Sequence, residues 1–237
     1  MRLRRIPEAK TEILQSALLV QNPAQYQGAW RKLMGLAPDA PLRLEVGMGR
    51  GKYITAAAQA RPSEGFLGLE LREEMIYFAL RRLQGRQPSN LRFLWQDAAL
   101  LAEFFAPGEI SEILLPFSDP WPKARHSKRR LTSPRFLPLY AHILAAAGSL
   151  CFKTDNVDFF YWSREQFCAA GFVILAESHD LPPSTDALGS EYEQRFRSLG
   201  QPIYALRLAK PATSIDSDRL DWERRRENRY ATDQHQG

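Results

Sequence analysis

The sequence predicts an α/β fold, a doubly wound and mostly parallel sheet with an antiparallel last strand. Three observations predict it. Short strand-like runs alternate with stretches of helical spacing along most of the chain. A glycine-rich turn, Gly47-Met48-Gly49-Arg50-Gly51, directly follows the first of those runs. Acidic residues recur at the ends of the early strand-like runs, where open α/β sheets bind their ligands.

Residues 8–34 alternate polar and apolar at helical spacing, and Asn22-Pro23 breaks them into two short helices. The first strand covers 42–46, and the glycine turn leads into a helical run, KYITAAAQA. A strand at 66–71, an amphipathic helix at 73–84 and a strand at 91–95 follow. A short helix over about 98–106 precedes the fourth strand, 110–115, and a basic loop comes next. A helix over 134–146, a strand over 149–153 and a helix over 156–169 complete the alternating part. Strands at 172–177 and 203–208, with a short helix near 190–198 between them, lack a full crossover helix; hence the antiparallel last strand. The expected division is a helical extension with a basic arm (1–41), a main domain (42–210) and a polar tail (211–237).

The 237 residues suit one domain, with 44% hydrophobic and 25% charged residues, which excludes disordered, collagen-like and coiled-coil chains. The net charge is +5, but 121–135 alone carries +6 and leaves the rest at −1. A loop so charged reads either as a phosphate-contacting face or as a solvated surface. Cys151 and Cys168 lack redox or metal spacing and read as small core residues in a reducing compartment. No secretory h-region or long apolar span is visible, so the expected location is the cytoplasm.

The glycines are spaced G-x-G-x-G, not G-x-G-x-x-G, with Glu45 two residues ahead of them. Glu70 closes the second strand and can accept both ribose hydroxyls of an adenosine; Asp97 closes the third, near where an adenine would lie. Three acids around one ligand repel a pyrophosphate and suit a ligand with a ribose, an adenine and a cationic group. S-adenosylmethionine has all three. Each acid read alone is a cap at a strand–helix turn. On this motif alone a nicotinamide-dependent oxidoreductase stays second.

After the fourth strand the chain reads Pro116-Phe117-Ser118-Asp119-Pro120-Trp121-Pro122-Lys123. The prolines restrict this loop and pre-position Asp119. A restrained carboxylate, an aromatic ring and then cations form a suitable order for holding one base while gripping the adjoining backbone.

FSDPWPKARHSKRRLT resembles the signature of the bacterial tRNA (guanine-N7-)-methyltransferases. The resemblance continues through LEVGMGRGKY, FLGLEL, Asn90-Leu91-Arg92 with Asp97-Ala98, FKTDN at 152–156, SEYE at 190–193 and GQPIY at 200–204. It implies a Rossmann-like class I methyltransferase fold and methyl transfer from S-adenosyl-L-methionine to a guanosine in the tRNA variable loop. It also implies cofactor roles for Glu45, Gly47, Gly49, Gly51, Glu70, Asp97 and Asp119, with Asp119 also catalytic. Substrate roles fall on Lys123, Arg125, His126, Lys128, Arg129, Arg130, Asp155, Ser190, Tyr192 and Glu193. Pro116 stands where the family usually has a polar residue, and Ser190 where it has Thr. No metal and no obligate protein partner is expected. Apart from the resemblance, Asp155 and Glu193 read first as helix caps, ahead of contacts to base edges or to the cofactor's ammonium, Phe159-Phe160-Tyr161-Trp162 as core, and His142 as structural.

Overall fold

A computed structural model describes residues 6–182 and 198–212. Its strands are β1 (Leu42–Val46), β2 (Gly65–Glu70), β3 (Leu91–Trp95), β4 (Ile110–Pro116), β5 (Leu144–Thr154), β6 (Val173–Ser178) and β7 (Tyr204–Ala209). They form one sheet in the order β3-β2-β1-β4-β5-β7-β6. The pairs among β1 to β5 are parallel, and β7 runs antiparallel to both β5 and β6. The expected antiparallel last strand is present, inserted between β5 and β6. The strand order reverses between β1 and β4, and ligands bind beside such a switch point.

Among the described residues the helices are α1 (Ala9–Gln15), α2 (Trp30–Leu33), α3 (Lys52–Ala60), α4 (Glu73–Arg82), α5 (Leu101–Phe104), α6 (Leu137–Ile143) and α7 (Val157–Ala169), and most of the helix expected near 190–198 lies outside those residues. Single 3-10 turns lie at Pro23–Tyr26, Ala98–Leu100 and Ala124–Arg129. The α7 N-terminus is set by Asn156, whose side chain accepts from the Phe159 N–H at 2.8 Å. The face of α7 carrying Phe159, Phe160, Ser163 and Phe167 is buried.

Three sequence expectations need correction. The helix expected over 134–146 ends at Ile143, because β5 begins at Leu144. Ala145–Ala147 favour helix locally, but they lie in an irregular stretch of β5 bracketed by the Ile110–Leu144 and Glu112–Ser149 pairs with β4, and these flanking pairs override that weak preference. Cys168 is exposed, not core, because it turns away from the buried face of α7. The segment between α1 and the Pro23–Tyr26 turn carries a short extended piece that periodicity did not reveal. The Val20 N–H donates to Phe93 O at 2.9 Å and the Phe93 N–H to Leu18 O at 2.7 Å, so this piece pairs with the outer edge of β3.

The residues before β1 are built into the same core. Trp30 is fully buried, donates from Nε1 to Phe104 O at 2.9 Å and lies against Phe105. Ala9 and Ile13 of α1 are buried with Ile76, Tyr77 and Leu83 around α4. Asn90 is buried just ahead of β3. Its amide donates to the carbonyls of Ala58, Arg61 and Glu64 at 2.9–3.1 Å, tying the end of α3 and the turn into β2 together. Among the described residues no helix is long and apolar enough to cross a membrane.

Candidate active site

The carboxyl ends of β1, β2, β3, β4 and β5 lie side by side along the sheet. All three glycines after β1 adopt the left-handed backbone region, with φ of 74° at Gly47, 54° at Gly49 and 67° at Gly51. Gly51 is the N-cap of α3, and a Cβ there would lie 2.6 Å from the Ala79 Cβ on α4. At Gly49 a Cβ would meet nothing within 4 Å, so the turn opens outward at that residue.

Glu45 is 2% exposed. Its carboxylate accepts from the Ile54 N–H in the first turn of α3, while Oε2 is buried with no hydrogen-bond partner. Burial first, and then the nearby Glu70 carboxylate, push its pKa up to about 8. An orphaned buried carboxylate oxygen beside an open glycine turn is what a cationic ligand group would complete. Glu70 is more occupied. Oε2 accepts from the Gly49 N–H at 3.0 Å, and Oε1 from the N–H groups of Leu71 and Arg72 at 2.9 and 3.0 Å. Burial raises its pKa while these backbone bonds oppose the shift. Glu70 therefore secures the glycine turn and retains about one of its four acceptor sites. Asp97 is exposed and caps the Ala98–Leu100 turn, with Oδ1 accepting from the Ala99 N–H at 2.8 Å. The capping reading thus holds for Asp97 and in part for Glu70, but leaves the second oxygen of Glu45 unexplained.

The loop after β4 is strained and clamped. Phe117 and Trp121, neither of them glycine, take φ of 50° and 42°. Such conformations cost about 1–3 kcal/mol each and persist only where the surroundings impose them. Asp119 lies between them and is exposed. At the start of the loop the Phe117 N–H donates to Lys153 O of β5 at 2.8 Å. At its end Arg130 donates to Pro120 O at 2.8 Å and to Trp121 O at 3.2 Å. The Arg130 guanidinium lies 4.2 Å from the ring centre of Trp162 and 5.6 Å from that of Phe159, both on α7. Ser118 Oγ is buried without a partner, a second unsatisfied polar atom on this face.

The basic loop winds into the Ala124–Arg129 3-10 turn. Lys123, Arg125, Lys128 and Arg129 are exposed. Arg129 lies 5.0 Å from the Trp121 ring centre, and His126 meets the same ring edge-on at 5.8 Å. Buried Thr132 and Ser163 share a hydrogen bond of 2.8 Å, and Tyr140 donates to Leu131 O at 3.0 Å. These two bonds fasten the far end of the loop to α7 and α6. Asp155 is half-buried between β5 and the Asn156 cap. Ser190, Tyr192 and Glu193 lie outside the described residues. Sequence reasoning missed the Arg130–Trp162 stack and the positive φ at Phe117 and Trp121. No residue type signals either, since both arise from long-range contacts.

Residues 39–206 match the family described as "Putative methyltransferase". A tRNA (guanine-N(7)-)-methyltransferase of Lachnoclostridium phytofermentans is 41% identical over 209 residues, 87% of this chain and 97% of that protein. The Bacillus subtilis protein of the same name is 39% identical over 207 residues, covering 86% and 96%. The chain belongs to the tRNA (guanine-N7-)-methyltransferase family. Among solved structures, the 16S rRNA methyltransferase KamB superposes with a TM-score of 0.58 at 18% identity, covering 77% of this chain and 93% of that one. A 16S rRNA (adenine(1408)-N(1))-methyltransferase of Catenulisporales acidiphilia, solved with its cosubstrate SAM, gives 0.57 at 15%, covering 81% and 92%. At such identities these two speak for the class I methyltransferase fold, which the strand order also displays. In this family member the glycine turn, the acids and the Asp119 loop all lie at the carboxyl end of the sheet.

Proposed function

We propose that the protein methylates N7 of a guanosine in the variable loop of tRNA, using S-adenosyl-L-methionine. The observation that carries this reading is Asp119, exposed between two clamped, strained residues at the switch-point end of the sheet. Family membership at about 40% identity over most of the chain supports it. When bound, S-adenosylmethionine supplies an electrophilic methyl group on sulfur. Glu45, Gly47, Gly49, Gly51, Glu70 and Asp97 would hold it, and the orphaned Glu45 oxygen matches its cationic character.

Guanine N7 carries an in-plane lone pair and no proton, so attack needs no strong base. The methylated ring is cationic and its N1–H is more acidic. In our reading the Asp119 carboxylate accepts from N1–H and the exocyclic amine, stabilising charge as it develops. The clamped loop fixes the carboxylate beforehand, so that little ordering is left to the reaction itself. Asp155 directly follows β5 at the same sheet end, and in this reading it would meet base edges or the cofactor's ammonium. Lys123, Arg125, His126, Lys128 and Arg129 grip the adjoining phosphates, and the site works in the cytoplasm, where tRNA is processed.

Incubation with labelled S-adenosylmethionine and unmodified tRNA, followed by nuclease digestion, tests the reading. The expected product is 7-methylguanosine from the variable loop. Label in another nucleoside, or none, would overturn it.

A further inference from the structure

The basic segment 123–130 looks uniform in sequence, yet one of its cations is turned inward. Two neighbouring N–H groups of Arg130 reach the successive carbonyls of Pro120 and Trp121, and the guanidinium plane is covered by Trp162. Lys123, Arg125, Lys128 and Arg129 are exposed. Pro116, Pro120 and Pro122 have no backbone N–H, so the loop has few donors of its own with which to hold its shape. Its fixed points are the Phe117 N–H on Lys153 O at one end and the Arg130 fork at the other, with Asp119 between them.

We propose that Arg130 is a positioning residue which sets the Asp119 carboxylate through the Pro120 and Trp121 carbonyls, with Trp162 as its backing plate, and is not one of the cations that grip RNA. This rests on Asp119 as the catalytic group. A phosphate-gripping cation needs charge, and lysine supplies it. A clamp needs a planar fork that bonds two carbonyls while stacked on an indole, which lysine cannot reproduce.

The test compares Arg130→Lys, Trp162→Leu and their combination with Asp119→Ala, measuring kcat, KM for tRNA and the salt dependence of tRNA binding. Arg130→Lys is expected to lower kcat by about 10–100-fold. Its KM for tRNA should stay within about twofold and its log–log salt slope should be that of the unaltered enzyme. Trp162→Leu, which keeps every cation, should lower kcat similarly. The combined variant should fall little below the worse single one, because both changes break the same clamp. Near-normal kcat in Arg130→Lys, or a fully additive double variant, would overturn the proposal. If Arg130→Lys fails to fold by circular dichroism, Trp162→Leu decides alone: a near-normal kcat there is equally fatal. Full activity in Asp119→Ala would instead remove the catalytic reading on which the clamp depends, a different outcome from failure of the clamp.

Discussion

Glu45 combines burial, an unpaired oxygen and a pKa pushed up to about 8 from the usual 4.5. The folded, ligand-free protein therefore keeps a proton on this carboxyl over a pH range in which the unfolded chain has already lost it. The resulting contribution to stability is fully present below about pH 4.5 and is lost as the pH rises through about 8. Urea unfolding of the ligand-free protein between pH 5 and 8 should show stability falling with a slope of at most about 1.4 kcal/mol per pH unit from this group. Glu45→Gln should remove that component, and identical pH profiles for the two proteins would contradict the assignment. The carboxylate is costly to bury alone, and a cationic ligand group beside it removes the cost. Asp119 differs: it is exposed, so Asp119→Ala should leave the unfolding midpoint almost unchanged while methyl transfer falls below detection and tRNA affinity stays within about twofold. Filter binding and a methylation assay on one preparation check this.

At the scale of elements, the glycine turn shapes the cofactor end of the sheet, and the asparagine ahead of β3 ties the opposite, amino end together. Gly51→Ala meets a positive φ and a Cβ contact of 2.6 Å with Ala79, so α3 and α4 must separate. We expect a loss of about 2–5 kcal/mol. Gly49→Ala carries the φ strain alone, because nothing lies within 4 Å of its Cβ, and should cost about 1–2 kcal/mol. The difference between the two urea midpoints measures the packing part. Asn90→Ala removes the side-chain donor from three carbonyls, of which that of Arg61 still accepts from the Glu64 N–H, and should cost about 1–3 kcal/mol in the same assay. The element boundaries that sequence placed well are those with a local stop signal. The strands at 42–46 and 91–95 match the structure at both ends, and Asn156 caps α7 where a short polar side chain marks the start. The misplaced boundary, between α6 and β5, lies at an alanine run that the β4 pairs on either side of it, at Leu144 and Ser149, hold in the strand.

Over the whole molecule, charge is separated by position. Acids line the cofactor end, cations crowd the loop after β4, and Asp119 stands where the two meet. If Lys123, Arg125, Lys128 and Arg129 neutralise four phosphates, the log–log salt slope of tRNA affinity should be about −2.8 to −3.6. Counting Arg130 as a fifth contact, as the sequence alone suggests, gives about −3.5 to −4.5. Replacing Arg125 and Lys128 together by Ala should flatten the slope by about 1.4–1.8, as a salt titration of filter binding would show. An unchanged slope would place the RNA elsewhere. The sequence by itself determined the sheet, the glycine turn, the acids at its strand ends and the Asp119 loop, because each is written in local periodicity or in a motif with fixed spacing. Tertiary structure alone decided that Glu45 keeps an orphaned oxygen while both oxygens of Glu70 and one of Asp97 accept from backbone donors. It likewise decided that Arg130 turns inward to Trp162 when its neighbours face solvent. The physical reason is the same in each case: a side chain's type is local, but its partners are brought to it by strands and helices distant in sequence.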